Sequence, residues 1–232
     1  MRTRILHWFF NFLVRTLSKT RSEGLENVPI SGPYLMVSNH LSMADLPVTY
    51  IYLGGPHITG WVAEKWRYHP LFTPILRLGG GIFIERGEVD RTALDAAVRW
   101  LRSGKAFGMS PEGTRSRNGS LQRGKTGAAY LAAAADVPVL PVGIIGTDQT
   151  FQTLSRLRRP ELVVRVGEPF QLPPLEANGR SASLRRNTDE IMCRIAALLP
   201  PRYWGHYRDH PRLRQLVPEH VIPSDLTDIA SV

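Results

Sequence analysis

The stretch "YLMVSNHLSMADLP", Tyr34 to Pro47, turns from an apolar run into a histidine, a short polar link, an aspartate and a proline. The run Tyr34 to Asn39 reads as a strand, and a proline, Pro47, closes the stretch after Asp45. His40 and Asp45 stand five residues apart, whereas one helix face aligns residues at an interval of four and one strand face at two. A strand that ends at His40, turns through Leu41 to Ala44 and enters a helix near Asp45 satisfies that interval. Such a turn sets a carboxylate beneath an imidazole, fixing the tautomer so that the other ring nitrogen can take a proton. A buried histidine that shares one hydrogen bond satisfies the pair equally well.

The strand-then-helix unit repeats along the chain. Strands are expected at 34–39, 57–64, 81–86, 105–110, 139–145 and 162–167, with helices after Asp90, in "KTGAAYLAAAAD" and at 184–199. The alternation predicts an α/β fold, a single domain whose mostly parallel, mixed sheet is flanked by helices. Pro138 and Pro141 bracket an otherwise buried run, which places that strand at an edge or a bulge. The expected organisation is an amphipathic segment over 1–20, the α/β domain over 21–200 and a C-terminal extension over 201–232, whose mixed charges and histidines carry no clear period. The segment 172–183 is the most linker-like.

Twenty-nine Lys and Arg against twenty Asp and Glu give the 232-residue chain a formal charge of +9, which favours an anionic surface or a phosphorylated ligand. Aromatics are not interleaved with the basic residues and no docking motif is visible, so nucleic acid is not expected as a partner. The single cysteine, Cys193, recurs with Ile191, Ile195 and Leu198 at helical spacing and reads as a buried structural thiol in a reducing compartment. Neither a cysteine cluster nor H-E-x-x-H is present, so no metal is expected. At the start, "ILHWFFNFLV" would be about 15 Å long as a helix, too short to span a bilayer. Arg4, His7, Asn11 and Arg15 share one polar stripe, with Trp8, Phe9, Phe10 and Phe12 among the residues covering the rest. An in-plane membrane anchor is the expectation, against a helix packed on the protein's own core.

Polar groups recur at the carboxyl ends of predicted strands: His40 with Asp45, Arg86, and Glu112 to Arg115. In open α/β sheets that edge is where ligands bind, so the pieces can converge on one crevice. From Arg99 to Lys125, both included, there are seven basic residues and one acid, Glu112. A solvated basic face accounts for the charge, but "EGTRS" directly after a strand points to a rigid turn offering N–H groups and a guanidinium to an anion. "GSLQRGKT", Gly119 to Thr126, also satisfies the P-loop pattern, although Gly119 follows a polar stretch instead of the hydrophobic strand a P-loop needs. No G-x-S-x-G elbow appears.

Four blocks together resemble the bacterial 1-acyl-sn-glycerol-3-phosphate acyltransferases and the wider glycerolipid acyltransferases: "NHLSMAD", "GGIFIER", "PEGTRS" and "VPVLPVGI", in that order between Gly24 and Phe170. Ser110 stands where the family has phenylalanine before Pro-Glu-Gly. The resemblance implies that His40 is the general base and Asp45 orients it, and that no cofactor is used. It further implies that Arg86 and Arg115 bind the acceptor's phosphate, with Glu112, Gly113 and Thr114 shaping the site and Lys65 a further phosphate contact. The implied substrates are lysophosphatidic acid and an acyl thioester of coenzyme A or acyl carrier protein. The implied place is the cytoplasmic face of a membrane, peripheral or monotopic, against an anionic lipid surface. A non-catalytic binder of anionic lipid and a nucleotide hydrolase are the readings from other classes.

Overall fold

The structure is a computed structural model that describes residues 2–53, 58–70, 72–78, 81–84 and 91–217. Among these, seven strands form one sheet: β1 (Lys19–Glu23), β2 (Leu35–Ser38), β3 (Ile58–Ala63), β4 (Ile82–Ile84), β5 (Ala106–Met109), β6 (Val139–Ile145) and β7 (Glu161–Val166). Their order is β1-β7-β6-β2-β5-β3-β4. From β6 through β4 every neighbour is parallel, while β7 runs antiparallel to β6 and pairs in parallel with β1. The helices are α1 (Arg2–Leu17), α2 (Asp45–Tyr52), α3 (Phe72–Leu78), α4 (Arg91–Arg102), α5 (Gly127–Ala135), α6 (Thr150–Ser155), α7 (Arg180–Ala197) and α8 (Pro211–Leu216).

Strand periodicity sorts the apolar residues into two cores, one on each face of the sheet. Leu35, Val37, Phe107, Val139, Ile145 and Val163 meet α4, α5 and α7. Met36, Leu140, Val142, Ile144, Leu162 and Val164 meet α1 and α2 through Val14, Val48 and Leu53. Because both faces are covered, β2 and β6 are buried along their whole length, as their near-continuous apolar sequences require. Phe107 is fully buried in the first core, where truncation to alanine would cost about 3–5 kcal/mol. The described part of the C-terminal extension also joins this core, through Tyr203, Tyr207 and Leu213.

Each strand expected from the sequence is present, as are the three helices. Of the edge or bulge expected for the proline-bracketed strand, the bulge is found: β6 lies inside the sheet, between β2 and β7, and the three steps from Val139 to Val142 oppose four from Val166 to Phe170. Pro141 is tolerated because its ring nitrogen faces the break between the pair Val142–Val166 and the isolated bridge Val139–Phe170. Its carbonyl still accepts from Gly167 N–H at 2.9 Å, so no ladder bond is lost. β1 carries no strand signal in the sequence, because "KTRSE" is polar throughout; its exposure alternates as in an edge strand. Pairing with β7 and an Arg165–Glu23 ion pair at 2.7 Å hold it there.

The N-terminal helix packs a mixed polar and apolar face on the protein and leaves several large aromatics outside. His7, Phe10 and Val14 turn inward, with the His7 and Phe10 rings 6.1 and 5.7 Å from that of Tyr50 on α2. Trp8 and Phe12 stack on the outer side, and both are exposed along with Phe9. The polar stripe read from the sequence therefore faces the protein at His7 and Asn11. Among the described residues, no helix is long and apolar enough to cross a membrane.

Candidate functional site

β2 delivers His40 to the carboxyl edge of the sheet, and α2 begins at Asp45, in the first turn, where a carboxylate is favoured by the helix dipole and Pro47 lacks an N–H that would have had no partner. The His40 Nδ1 lies 2.7 Å from Asp45 Oδ2, which also accepts the N–H groups of Leu41 at 2.8 Å and Ser42 at 3.0 Å. Asp45 Oδ1 accepts from the Thr147 hydroxyl at 2.5 Å. Four donors thus converge on a carboxylate that is 4% exposed. With Nδ1 carrying its proton toward Asp45, Nε2 of the half-buried imidazole is left as an acceptor. Asn39, just before, exchanges two hydrogen bonds of 2.8 Å with the backbone of Ile144 and so pins the end of β2 to β6.

β5 ends at Met109, and the chain turns at once through Pro111 and Glu112. Glu112 is buried, and its two oxygens accept the N–H groups of His40 at 3.1 Å and Gln122 at 3.0 Å. Burial pushes its carboxyl up to about 7, against the opposing pull of those two amides. Glu112 is thus a clamp between the histidine turn and the basic loop, and its side chain is turned away from solvent. The next residue, Gly113, has φ +69, and a side chain there would meet the Lys125 side chain at 3.1–3.2 Å. Ser116 N–H donates to the His40 carbonyl at 2.8 Å, so both ends of the turn are fastened to the histidine. Thr114 and Arg115 emerge on the surface and line a cleft of about 300 Å³ with Leu41, Ser116 and Arg117.

The structure brings His40, Asp45, Glu112, Gly113, Thr114 and Arg115 into one neighbourhood. Arg86 lies outside the described residues, as does the side chain of Lys65, whose backbone is in the turn Glu64–Trp66 that follows β3. Two contributors escaped the sequence reading. Thr147 lies 102 residues from Asp45 and outside every motif. Lys125, part of the P-loop pattern in the sequence, packs its side chain over Gly113, two residues before Arg115.

The P-loop reading fails on its amides. Leu121 N–H goes to the Tyr203 carbonyl, Gln122 N–H to Glu112, Gly124 N–H to the Tyr207 hydroxyl and Lys125 N–H to the Pro111 carbonyl. These four amides, which a phosphate-cradling loop would need to aim at its ligand, are spent inside the fold. Cys193 is buried on α7, its thiol pushed up to about 12 by burial, which removes it as a nucleophile. No group of three or more metal-ligating side chains occurs among the described residues.

Comparison with known proteins matches residues 19–145 to the Acyltransferase family model. The chain is 29% identical over 131 residues to the 1-acyl-sn-glycerol-3-phosphate acyltransferase of Borreliella burgdorferi, covering 55% of this chain and 52% of that one. It is also 29% identical over 197 residues to the human 1-acyl-sn-glycerol-3-phosphate acyltransferase alpha, covering 77% and 61%. The chain spans about half the length of the curated relatives it matches. Among solved structures, the 1-acyl-sn-glycerophosphate (LPA) acyltransferase PlsC from Thermotoga maritima superposes with a TM-score of 0.63 at 26% identity, covering 82% of this chain and 79% of that one.

Proposed function

The chain belongs to the acyltransferase family, and from that premise we propose that it transfers a fatty acyl group from a thioester to the sn-2 hydroxyl of 1-acyl-glycerol-3-phosphate, forming phosphatidic acid. The observation that carries this reading is the oriented His40–Asp45 pair, 2.7 Å apart, beside a cleft lined by an exposed arginine. His40 Nε2 takes the proton of the acceptor hydroxyl as its oxygen attacks the thioester carbonyl. The tetrahedral adduct then collapses, the C–S bond breaks, and the imidazolium returns the proton to the leaving thiolate. Asp45 holds the ring in the productive tautomer and stabilises the transient imidazolium. A thioester is already activated, so direct attack needs no acyl-enzyme, in keeping with a buried Cys193. Arg115 binds the acceptor's phosphate, assisted by Arg86 and Lys65, while Gly113 and Thr114 shape the turn that presents it. The donor is acyl-CoA or the acyl thioester of acyl carrier protein.

Supporting a membrane-surface location, the outer side of α1 exposes Trp8, Phe9 and Phe12, which would lie in the interface of an anionic leaflet on the cytoplasmic face. The test crosses acyl-CoA and acyl carrier protein donors with lysophosphatidic acid, other lysophospholipids and monoacylglycerol. Product is expected with lysophosphatidic acid, with Arg115→Ala raising its KM and leaving kcat near wild type. A preference for the phosphate-free acceptor, or an unchanged KM in Arg115→Ala, would overturn the acceptor assignment.

A further inference from the structure

The chain between β6 and β7 lies on the same edge of the sheet as the catalytic pair. β6 runs parallel to β2, which ends just before His40, and β7 starts where β6 finishes, with Ile145 opposite Val163. Residues 146–160 therefore sit at the carboxyl edge of the parallel strands, beside His40. β1 starts at that edge as well, with Lys19 opposite Glu161, so the last turn of α1 arrives there too. The Arg159 guanidinium donates to the carbonyls of Arg15 and Ser18, stapling the end of this connection to the end of α1.

What the connection displays is costly for a surface facing only water. Leu157 is 98% exposed and adopts φ +56, a left-handed conformation that a leucine rarely takes. Phe151 on α6 is 61% exposed. Arg156 and Arg158 flank Leu157, and neither guanidinium has a hydrogen-bond or ion-pair partner among the described residues. Between Asp148 and Glu161 the sequence has three arginines and no acid. An apolar tip collared by free cations is the pattern of an element that dips into the acyl boundary of an anionic leaflet while its arginines reach lipid phosphates. The exposed Leu17 at the end of α1 and Leu46 at the start of α2 continue the apolar display along the same edge.

We propose that Phe151 and the Arg156-Leu157-Arg158 tip form a second membrane-contact element, which with α1 seats the protein on anionic lipid with its catalytic edge toward the bilayer. This assignment rests on the acyltransferase reading for the identity of that edge, and it explains how an acceptor that stays in the leaflet reaches His40. An acidic protein partner would meet the same arginines, but the neighbouring apolar face of α1 favours lipid.

The test uses the full chain with Leu157→Cys labelled with an environment-sensitive fluorophore, Cys193 being buried. Mixed phosphatidylcholine–phosphatidylglycerol vesicles should shift the emission to the blue and bring it within reach of quenchers attached to acyl chains. Arg156→Gln with Arg158→Gln should weaken sedimentation with the mixed vesicles by about fivefold per arginine, and leave binding to phosphatidylcholine alone unchanged. Unshifted emission while the protein sediments with vesicles would overturn the proposal. So would an absence of sedimentation, or a shift produced by acyl carrier protein without lipid. The loop variants should turn over lysophosphatidic acid normally in detergent. Inactivity of the wild type there would count against the acyltransferase reading, whereas normal activity with no vesicle effect would count against the loop alone.

Discussion

Thr147→Val replaces a fully buried hydroxyl with a methyl of similar size, which makes it a probe of how Asp45, the proposed orienting carboxylate, is held. Asp45 Oδ1 would lose its donor at 2.5 Å and face an apolar methyl, while Oδ2 would keep the N–H groups of Leu41 and Ser42. A buried carboxylate oxygen left unpaired costs about 2 kcal/mol, or roughly 4–8 °C of Tm for a chain of this size. The remaining donors keep the carboxylate in place but no longer fix its rotation, so the imidazole spends less time aligned. A loss of about 1.4 kcal/mol in transition-state stabilisation is a tenfold fall in kcat. Thr147 reaches no acceptor atom in the proposed arrangement, so KM should stay near wild type. Steady-state kinetics with lysophosphatidic acid, alongside thermal unfolding, gives both numbers, and Thr147→Ser should restore both. Equal kcat in the valine and serine variants, or an effect confined to KM, would refute the positioning role.

Glu112 makes a prediction about pH. Its carboxyl is raised from 4.5 to about 7, so the folded chain holds a proton that the unfolded chain releases, and stability should fall as pH rises across that window. The full shift is worth about 3 kcal/mol; Glu112→Gln should remove the slope in urea unfolding, and an unchanged slope would contradict the burial argument. Cys193, with its thiol pushed up to about 12, should resist alkylation in the native protein and react only on unfolding. Native labelling with parallel loss of turnover would place it in the chemistry and sink direct attack.

Much of the fold is legible because buried parallel strands announce themselves as apolar runs: "YLMVSN", "KAFGMS" and "VLPVGII" each yield a strand within a residue or two of its observed limits. β1 is not, because "KTRSE" has no apolar signal and gains strand form only from β7 beside it. The hydrophobic stripe of α1 identifies an amphipathic helix but not which side meets the protein, where His7 and Asn11 of the polar stripe turn inward, His7 toward Tyr50. In the site, His40 with Asp45 could be read from an interval of five within one βα turn. The loop that carries Glu112 is legible from "PEGTRS" after a strand, but its partners are backbone amides of His40 and Gln122, which side-chain spacing does not encode. Thr147 had no local signal at all, since only the parallel pairing of β6 with β2 carries it to Asp45. The turns over Pro201–Tyr203 and Gly205–Tyr207 were unreadable for a related reason: their short 3₁₀ segments have no period, yet their tyrosines cap the amides of Gly146 and Gly124.

The central claim is that His40, oriented by Asp45, removes the acceptor's proton. Phosphatidic acid formation from lysophosphatidic acid and an acyl thioester, measured for wild type and for His40→Ala of the same fold by circular dichroism, addresses it directly. Product from the wild type and none above background from the variant is the predicted result, and undiminished product from the variant would contradict it.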